Sequence, residues 1–139
     1  MKTAFLLPLL GFIAACPIGP TARRLANSAN GIHTDVQLVG RPKVQFSGEL
    51  LAVRDSTLLL LRDDDAHVVE VPIGAIRSAS FRQHGTLIDD GKIRRSDREK
   101  LRLMSRFPGG VSPELETRLL SAYGQTEPER PALPAPMHP

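Results

Sequence analysis

Cysteine is almost absent from this chain of 139 residues, and Cys16 is its single representative. One thiol cannot form a disulfide within the chain or complete a cysteine-rich zinc site, so the fold must be stabilised by buried surface. Tryptophan is missing, and five phenylalanines and one tyrosine are the only aromatic residues. We therefore expect an aliphatic core and few platforms on which nucleic-acid bases can stack.

The sequence also lacks the motifs that mark common catalytic and metal sites. It has no Gly-x-Ser-x-Gly elbow, phosphate-binding loop or His-Glu-x-x-His pair. The histidines show no metal-ligand spacing. Carboxylates at residues 63–65 beside His67 raise a cation hypothesis, but they lack the alternating ligands and central glycine of an EF-hand. We predict no catalytic, cofactor or metal-binding residue, and keep an enzyme with an unrecognised site as an alternative.

The N-terminus has the parts of an export signal. Lys2 gives a positive start, and residues 4–15 are mostly apolar but too few to span a bilayer as a helix. The segment ends in Ile13-Ala14-Ala15-Cys16. This run resembles the bacterial lipobox, which consists of an aliphatic residue, two small residues and a cysteine. The resemblance implies that the chain is cut before Cys16 and that Cys16 then carries lipid.

On this interpretation the protein is held at a membrane of the bacterial cell envelope, facing the periplasm in a Gram-negative cell. Residues 1–15 are a signal peptide, and residues 16–30 are a lipidated tether whose acyl chains make anchoring stable. The alternatives are an ordinary buried thiol at Cys16 and an ordinary secretory signal. Pro17 and the lack of a good Ala-x-Ala cleavage pattern count against the second alternative.

The central part of the chain, residues 31–82, has the alternating pattern of half-buried strands. We predict five strands, at residues 36–38, 44–53, 57–61, 68–71 and 78–81. Gly48 inside the second strand predicts a bulge or sharp bend, and the continuous leucines of the third predict a fully buried strand. The fold class is therefore mainly β with a small α part: a five-stranded small barrel followed by two short helices.

The same segment resembles the SH3-like and Sm-like small β-barrels. The matching residues are Val36-Gln37-Leu38, Gly48-Glu49-Leu50, Asp55, the leucines of 58–61, and Ile76-Arg77-Ser78. The resemblance implies the barrel, and it makes a homo-oligomer one arrangement to consider. The chain departs from the Sm-like pattern in two places. Leu59 lies near the position of an RNA-binding asparagine, and Pro72-Ile73-Gly74 replaces a polar segment, so the RNA contacts do not carry over.

Two short amphipathic helices are predicted in residues 83–125. Ser96-Asp97-Arg98-Glu99 has the pattern of a capping box for the first helix. Ser112-Pro113 is typical of the start of the second, and Gly124 of its end. We expect these helices to pack on the barrel, because helices this short are marginal alone. The proline-rich residues 126–139 predict a disordered, solvated tail.

Positive charge is concentrated between residues 82 and 106, which hold eight lysines and arginines against four acidic residues. The candidate contacts to an anionic partner are Lys92, Arg94, Arg95, Arg98 and Arg102. A solvated helix face is the plainer interpretation of this charge. Nucleic acid is not expected as a partner of an exported protein.

Our leading hypothesis is a non-enzymatic interaction or structural module of the envelope. Its expected partners are the membrane, through the N-terminal lipid, and another envelope protein. The alternatives are an envelope protein that binds a glycan or an anionic lipid, and an Sm-like nucleic-acid-binding protein if the export signal is false.

Overall fold

The computed structural model describes residues 30–133 of the chain. The predicted lipidation site Cys16, residues 1–29 around it and residues 134–139 lie outside the described residues. The elements are, in order, β1 (His33–Leu38), β2 (Gln45–Val53), β3 (Thr57–Arg62), β4 (Val68–Pro72), a 3-10 turn (Ile73–Ala75), β5 (Ile76–Phe81), β6 (Gly85–Asp89), β7 (Lys92–Ile93), α1 (Arg95–Met104) and α2 (Pro113–Ala122). No helix of the described range is long and apolar enough to cross a membrane.

All seven strands belong to one antiparallel sheet in the order β4-β3-β2-β1-β5-β6-β7. The sheet curls into a half-barrel. β2 serves both halves, because residues 45–49 pair with β1 and residues 48–53 pair with β3. The predicted fold class, mainly β with two short helices, is confirmed, but the expected number of five strands was wrong.

The two additional strands, β6 and β7, precede the first helix in a segment for which only helices were expected. Their turn is Asp90-Gly91, and both residues have positive φ angles, 44° and 71°. This is the backbone conformation of a tight two-residue hairpin, for which Asp-Gly is a strong signal. The alternation of apolar residues does not predict these strands, because Ile88 is the only residue of β6 or β7 that is buried.

The concave face of the sheet holds the main core. It is aliphatic apart from Phe81, and α1 closes it with Leu101 and Met104. Leu58 and Leu60 of β3 point into this core, whereas Leu59 lies in a second cluster on the opposite face. The continuous run of leucines is thus explained by a strand that is buried on both faces, as the sequence predicts.

The second cluster covers the outer face of β2, β3 and β4. Leu120 of α2 packs there against Leu51, Leu59 and Val68. The register of β2 and β3 shifts between Leu50 and Ala52, which gives a β-bulge at Leu51. Because of this bulge, Leu50 lies in the inner core and the adjacent Leu51 and Ala52 both lie in the outer one.

Gly48, which we expected to mark a bulge or bend, permits instead a close approach of two strands. A Cβ atom at this position would lie 2.5 Å from the carbonyl oxygen of Leu61 on β3. The bulge is three residues further along, at Leu51. A glycine in a strand has either meaning, and only the pairing of β2 with β3 distinguishes them.

The two helix starts differ in how well the sequence predicts them. Ser112 caps α2 as expected, because its side chain accepts a hydrogen bond from the Leu115 N–H at 3.2 Å. The capping box at Ser96 was wrong: α1 begins at Arg95, and Arg94 is its N-cap without a side-chain cap bond. β7 ends at Ile93, so the chain enters the helix before Ser96 is reached.

Candidate functional site

The predicted basic residues fall into two groups in the structure. Lys92 of β7, the N-cap residue Arg94, and Arg95 are exposed, and none of them has an ion pair within residues 30–133. The other two are engaged. Arg98 is half-buried and donates from Nη1 to the carbonyl oxygen of Arg54 at 3.1 Å, and Arg102 lies 3.8 Å from Glu99. The surface available to an anionic partner is therefore smaller than the sequence suggests.

The three free cations lie where the helix field is also positive. Arg94 and Arg95 stand at the N-terminus of α1, whose unpaired N–H groups carry partial positive charge. Cations at this end of a helix are unfavourable for stability, and Asp97 in the first turn offsets them only in part. Asp89 and Asp90 in the adjoining turn are exposed too, so the surface is mixed in charge with a cationic centre.

A second feature was not predicted: an ion-pair clamp formed by Arg62, Asp65, His67 and Glu129. Arg62 donates to both oxygens of Glu129, at 3.1 Å from Nη1 and 2.9 Å from Nη2, and also to Asp65, at 2.9 Å from Nε. His67 Nδ1 lies 3.0 Å from Glu129 Oε2. The clamp joins the end of β3, the loop after it and the chain beyond α2.

The charges of the clamp reinforce one another. Hydrogen bonding to Asp65 and then to Glu129 raises the pKa of Arg62 above its usual range. The same contact with Arg62 holds the pKa of Asp65 well below its usual range. His67 and then Arg62 lower the pKa of Glu129. Each carboxylate is therefore held in its charged form.

The clamp has three groups that metal sites also use, because ligand atoms of Asp65, His67 and Glu129 lie within 4.8 Å of one another. Arg62, however, already donates to both carboxylates. A divalent cation would have to displace this guanidinium and accept its positive charge nearby. The donor set fits an arginine-centred ion-pair network better than a metal site.

The clamp fixes residues 125–130 on the outer edge of β4, and we call these residues the C-terminal strap. Glu129 donates its N–H to the Val68 carbonyl and accepts from the Glu70 N–H, both at 2.9 Å, as a parallel β-bridge at Val69. The side chain of Gln125 accepts from the Val68 N–H at 2.7 Å and donates to its carbonyl at 3.1 Å. The strap thus occupies hydrogen-bonding groups that an edge strand otherwise exposes.

The prediction of a disordered tail from residue 126 onward was therefore wrong for the strap. Its composition carries no apolar pattern, and this is why the sequence indicated a solvated segment. The strap is held instead by backbone groups of β4 and by Arg62, which is 67 residues from Glu129 in the sequence. A local sequence pattern does not predict a contact between residues that are this far apart in the chain. The exposed cations Lys92, Arg94 and Arg95, which we call the basic surface, are a separate site from the clamp, and only the basic surface was predicted.

A smaller network lies next to the strap, around the half-buried Glu70. Arg54 donates to Glu70 at 2.9 Å and to Glu116 of α2 at 2.6 Å, and Thr57 donates to Glu70 at 3.0 Å. Burial raises the pKa of Glu70, but the bonds from Thr57 and Arg54 outweigh it, and the net pKa is lowered. An open cavity of about 450 Å³ lies beside Glu70 and Arg130. Arg130 of the strap lies 3.7 Å from Glu70, so the network ties both α2 and the strap to the sheet.

Comparison with protein-family models, curated proteins and solved structures gave no match for this chain. The class that the fold defines is a mainly β domain with a curled antiparallel sheet and two covering helices.

Proposed function

We propose that this chain is a lipid-anchored protein of the bacterial cell envelope whose domain is a non-enzymatic interaction module. The location rests on the run Ile13-Ala14-Ala15-Cys16 at the end of a short apolar segment. Near the start of the described residues, Gly31 donates its N–H to Glu49 Oε1 at 2.6 Å. The 14 residues between Cys16 and Gly31 reach at most about 50 Å when fully extended. A lipid on Cys16 would therefore keep the domain close to the membrane surface.

The domain is, on this proposal, a modified small barrel of the SH3-like or Sm-like kind. Three features support it: the curled sheet, a long β2 that serves both halves, and a single 3-10 turn between β4 and β5. β6, β7 and the two helices are additions to that plan. Small barrels serve many functions, so the fold alone does not identify the role.

The observation that carries the interaction role is the set of unpaired cations on β7 and at the N-terminus of α1 that follows it. Lys92, Arg94 and Arg95 are exposed and without ion pairs in the described part of the chain, and the helix end adds positive potential. Cations at a helix N-terminus lower the stability of the helix. A role in recognising an anionic partner explains why they are placed there. The partner that fits is an acidic surface of another envelope protein.

A second candidate function is binding to an anionic lipid headgroup or an acidic glycan, and the same three cations favour it. Anionic lipid attracts basic residues held near the membrane by about 1 kcal/mol each. The nucleic-acid alternative has less support, because it requires the export signal to be false.

The location is tested by the mass of the mature N-terminal peptide, with the chain expressed in a bacterium that processes lipoproteins. We expect a diacylated or triacylated peptide that begins at Cys16. A Cys16→Ser variant serves as the control and should carry no lipid. Recovery of the wild-type chain with an unmodified Cys16 would rule out the anchor.

The interaction role is tested by capture from detergent-solubilised envelopes. We expect the wild-type chain to retain a protein that the Lys92→Glu, Arg94→Glu, Arg95→Glu variant loses. Arg118→Glu on α2 is the matched control, because Arg118 is also exposed and has no ion pair in residues 30–133. Charge-dependent binding to anionic vesicles without protein capture would favour the second candidate. Turnover of an envelope substrate would overturn the non-enzymatic role.

A further inference from the structure

The edge of β4 is covered by the chain itself, and the cover is held almost entirely by polar contacts. No residue of 126–133 is buried, so no apolar side chain anchors this part of the chain to the sheet. The strap instead uses two backbone hydrogen bonds of Glu129, the amide of Gln125, the ion pair of Glu129 with Arg62, and the contact of Glu129 with His67 Nδ1. Contacts of this kind exchange readily for equivalent contacts from another segment.

We propose that the β4 edge is a docking site for an extended acidic peptide segment of a partner protein, and that the strap is a resident copy of that ligand. A partner would add a short parallel strand at Val68 and Glu70, in place of Glu129. Its carboxylate would enter the fork of Arg62. The strap thus keeps the edge covered until a partner displaces it.

The geometry of the strap defines the chemistry of the ligand. Addition of a strand to a sheet edge supplies affinity through backbone bonds, and side-chain pockets supply specificity. Here the backbone bonds are those between Glu129 and residues 68–70, and the specific contact is the bidentate Arg62 pair. Arginine is suited to this contact because its planar fork matches a carboxylate. A peptide with a cation in place of the glutamate is excluded by the same contact.

The surroundings of the strap leave room for a larger ligand. An open cavity of about 550 Å³ lies between the strap and His67. Only six residues separate Ala122, the last residue of α2, from Glu129, and Gly124 among them has a positive φ of 71°. The strap is therefore tethered close to its site and competes at a high effective concentration. A partner must bind better than the strap, and a ligand that also contacts the lining of this cavity gains the additional contacts to do so.

This inference rests on the interaction role proposed above but on neither the lipid nor the basic surface. Its test is binding of a labelled peptide with the sequence of residues 124–133 to the full chain in detergent, followed by fluorescence anisotropy. We expect the Gln125→Ala, Glu129→Ala variant, in which the strap is released, to bind the peptide at least about tenfold more tightly than wild type. Glu127→Ala is the matched control and should behave as wild type.

A peptide in which the residue equivalent to Glu129 is lysine should bind neither protein. Amide exchange at Val68 and Glu70 reports directly on the edge: it should accelerate in the released variant and slow again when the peptide is added. Should the double variant not fold, the single Glu129→Gln variant is used, and the criterion is then tighter peptide binding than wild type.

Three outcomes overturn the proposal. In the first, the peptide does not bind although the Val68 and Glu70 amides are exposed. In the second, it binds the wild type and the released variant equally. In the third, the released variant dimerises with these amides protected, which would show that the occupant is a second copy. None of them alters the mass of the N-terminal peptide or the capture through Lys92, Arg94 and Arg95. Failure of this inference is thus distinguishable from failure of the proposed function.

Discussion

At the scale of single residues, Glu49 connects the start of the described part of the chain to the link between the helices. Its Oε1 accepts the Gly31 N–H at 2.6 Å and the Arg106 Nε–H at 2.7 Å. Hydrogen bonding to Glu49 raises the pKa of Arg106 despite its burial. The connection between the two helices is fixed here as well, because the N–H of Arg106 donates to the carbonyl of Leu50. One glutamate therefore contacts both Gly31 and the link between the two helices.

Gly31 is required by close contact rather than by a special backbone angle. A Cβ atom there would lie 1.8 Å from the carbonyl oxygen of Leu50, so the backbone must move. We predict that Gly31→Ala lowers the free energy of unfolding by about 3 kcal/mol, measured by urea denaturation. Gly74→Ala is the control, because its Cβ would meet nothing within 4 Å. Equal urea midpoints for the two variants would show that a Cβ atom at residue 31 is accommodated beside Leu50 without loss of stability.

The basic residues show how far residue-level prediction reaches. The sequence identifies Lys92, Arg94, Arg95, Arg98 and Arg102 as one group of cations. The structure separates them, because Arg98 is used to satisfy the carbonyl of Arg54 and Arg102 has Glu99 one turn away. A sequence gives the type of each side chain. The sequence pattern does not show that Arg98 has a partner, because Arg54 lies 44 residues away.

At the scale of elements, prediction succeeded where burial leaves a pattern. β1 alternates between buried and more accessible residues, and β3 is a continuous apolar run, so both were anticipated. Prediction from the sequence failed where hydrogen bonds, and not apolar side chains, hold an element in place. β6 and β7 together bury one residue, and the strap buries none. The Asp90-Gly91 turn was the one local signal for the missed hairpin.

The outer core depends on α2, and Leu120 is the residue that anchors it. Leu120 is 4% exposed against the outer face of the sheet, whereas Leu115 on the same helix is 37% exposed. We predict that Leu120→Ala lowers the free energy of unfolding by about 3 kcal/mol, from lost burial and the cavity that remains. Leu115→Ala should change it by less than about 0.5 kcal/mol. Thermal unfolding followed by circular dichroism distinguishes the two, and similar losses would contradict the assigned packing.

At the scale of the whole molecule, the described domain is covered on both faces of its sheet and along one edge. α1 closes the concave face, α2 covers part of the convex face, and the strap covers β4. At the other end of the sheet, β7 has only two residues, one of them a lysine, which is how short edge strands avoid pairing with other chains. Of these three covering elements, the strap depends most on charged groups. We therefore expect it to be the first to detach from the sheet as the pH is lowered.

The stability of the domain should therefore fall in acid, and the clamp should contribute to the fall. The pKa values of Asp65, Glu70 and Glu129 are lowered in the folded protein. The unfolded chain then binds more protons near pH 4, so stability rises with pH in that range and is complete above the ordinary carboxyl pKa values of about 4. As the pH falls through the lowered pKa values, the carboxylates are protonated and this contribution is lost.

We predict that Glu129→Gln reduces the pH dependence of the urea midpoint between pH 6 and pH 3, because this variant has no carboxylate to protonate at that position. At pH 7 it should be less stable than wild type by no more than about 1 kcal/mol, since Glu129 is partly exposed and its ion pairs are screened. Glu127→Gln is the control, because Glu127 has no ion pair in the described part of the chain, and it should keep the wild-type profile.

Amide exchange at Glu70 locates the change: in wild type, exchange corrected for its intrinsic pH dependence should accelerate below pH 4 as the strap is released. An acid profile that is the same in wild type and Glu129→Gln would show that the strap is held by its backbone bonds and Gln125, without help from the Arg62 pair.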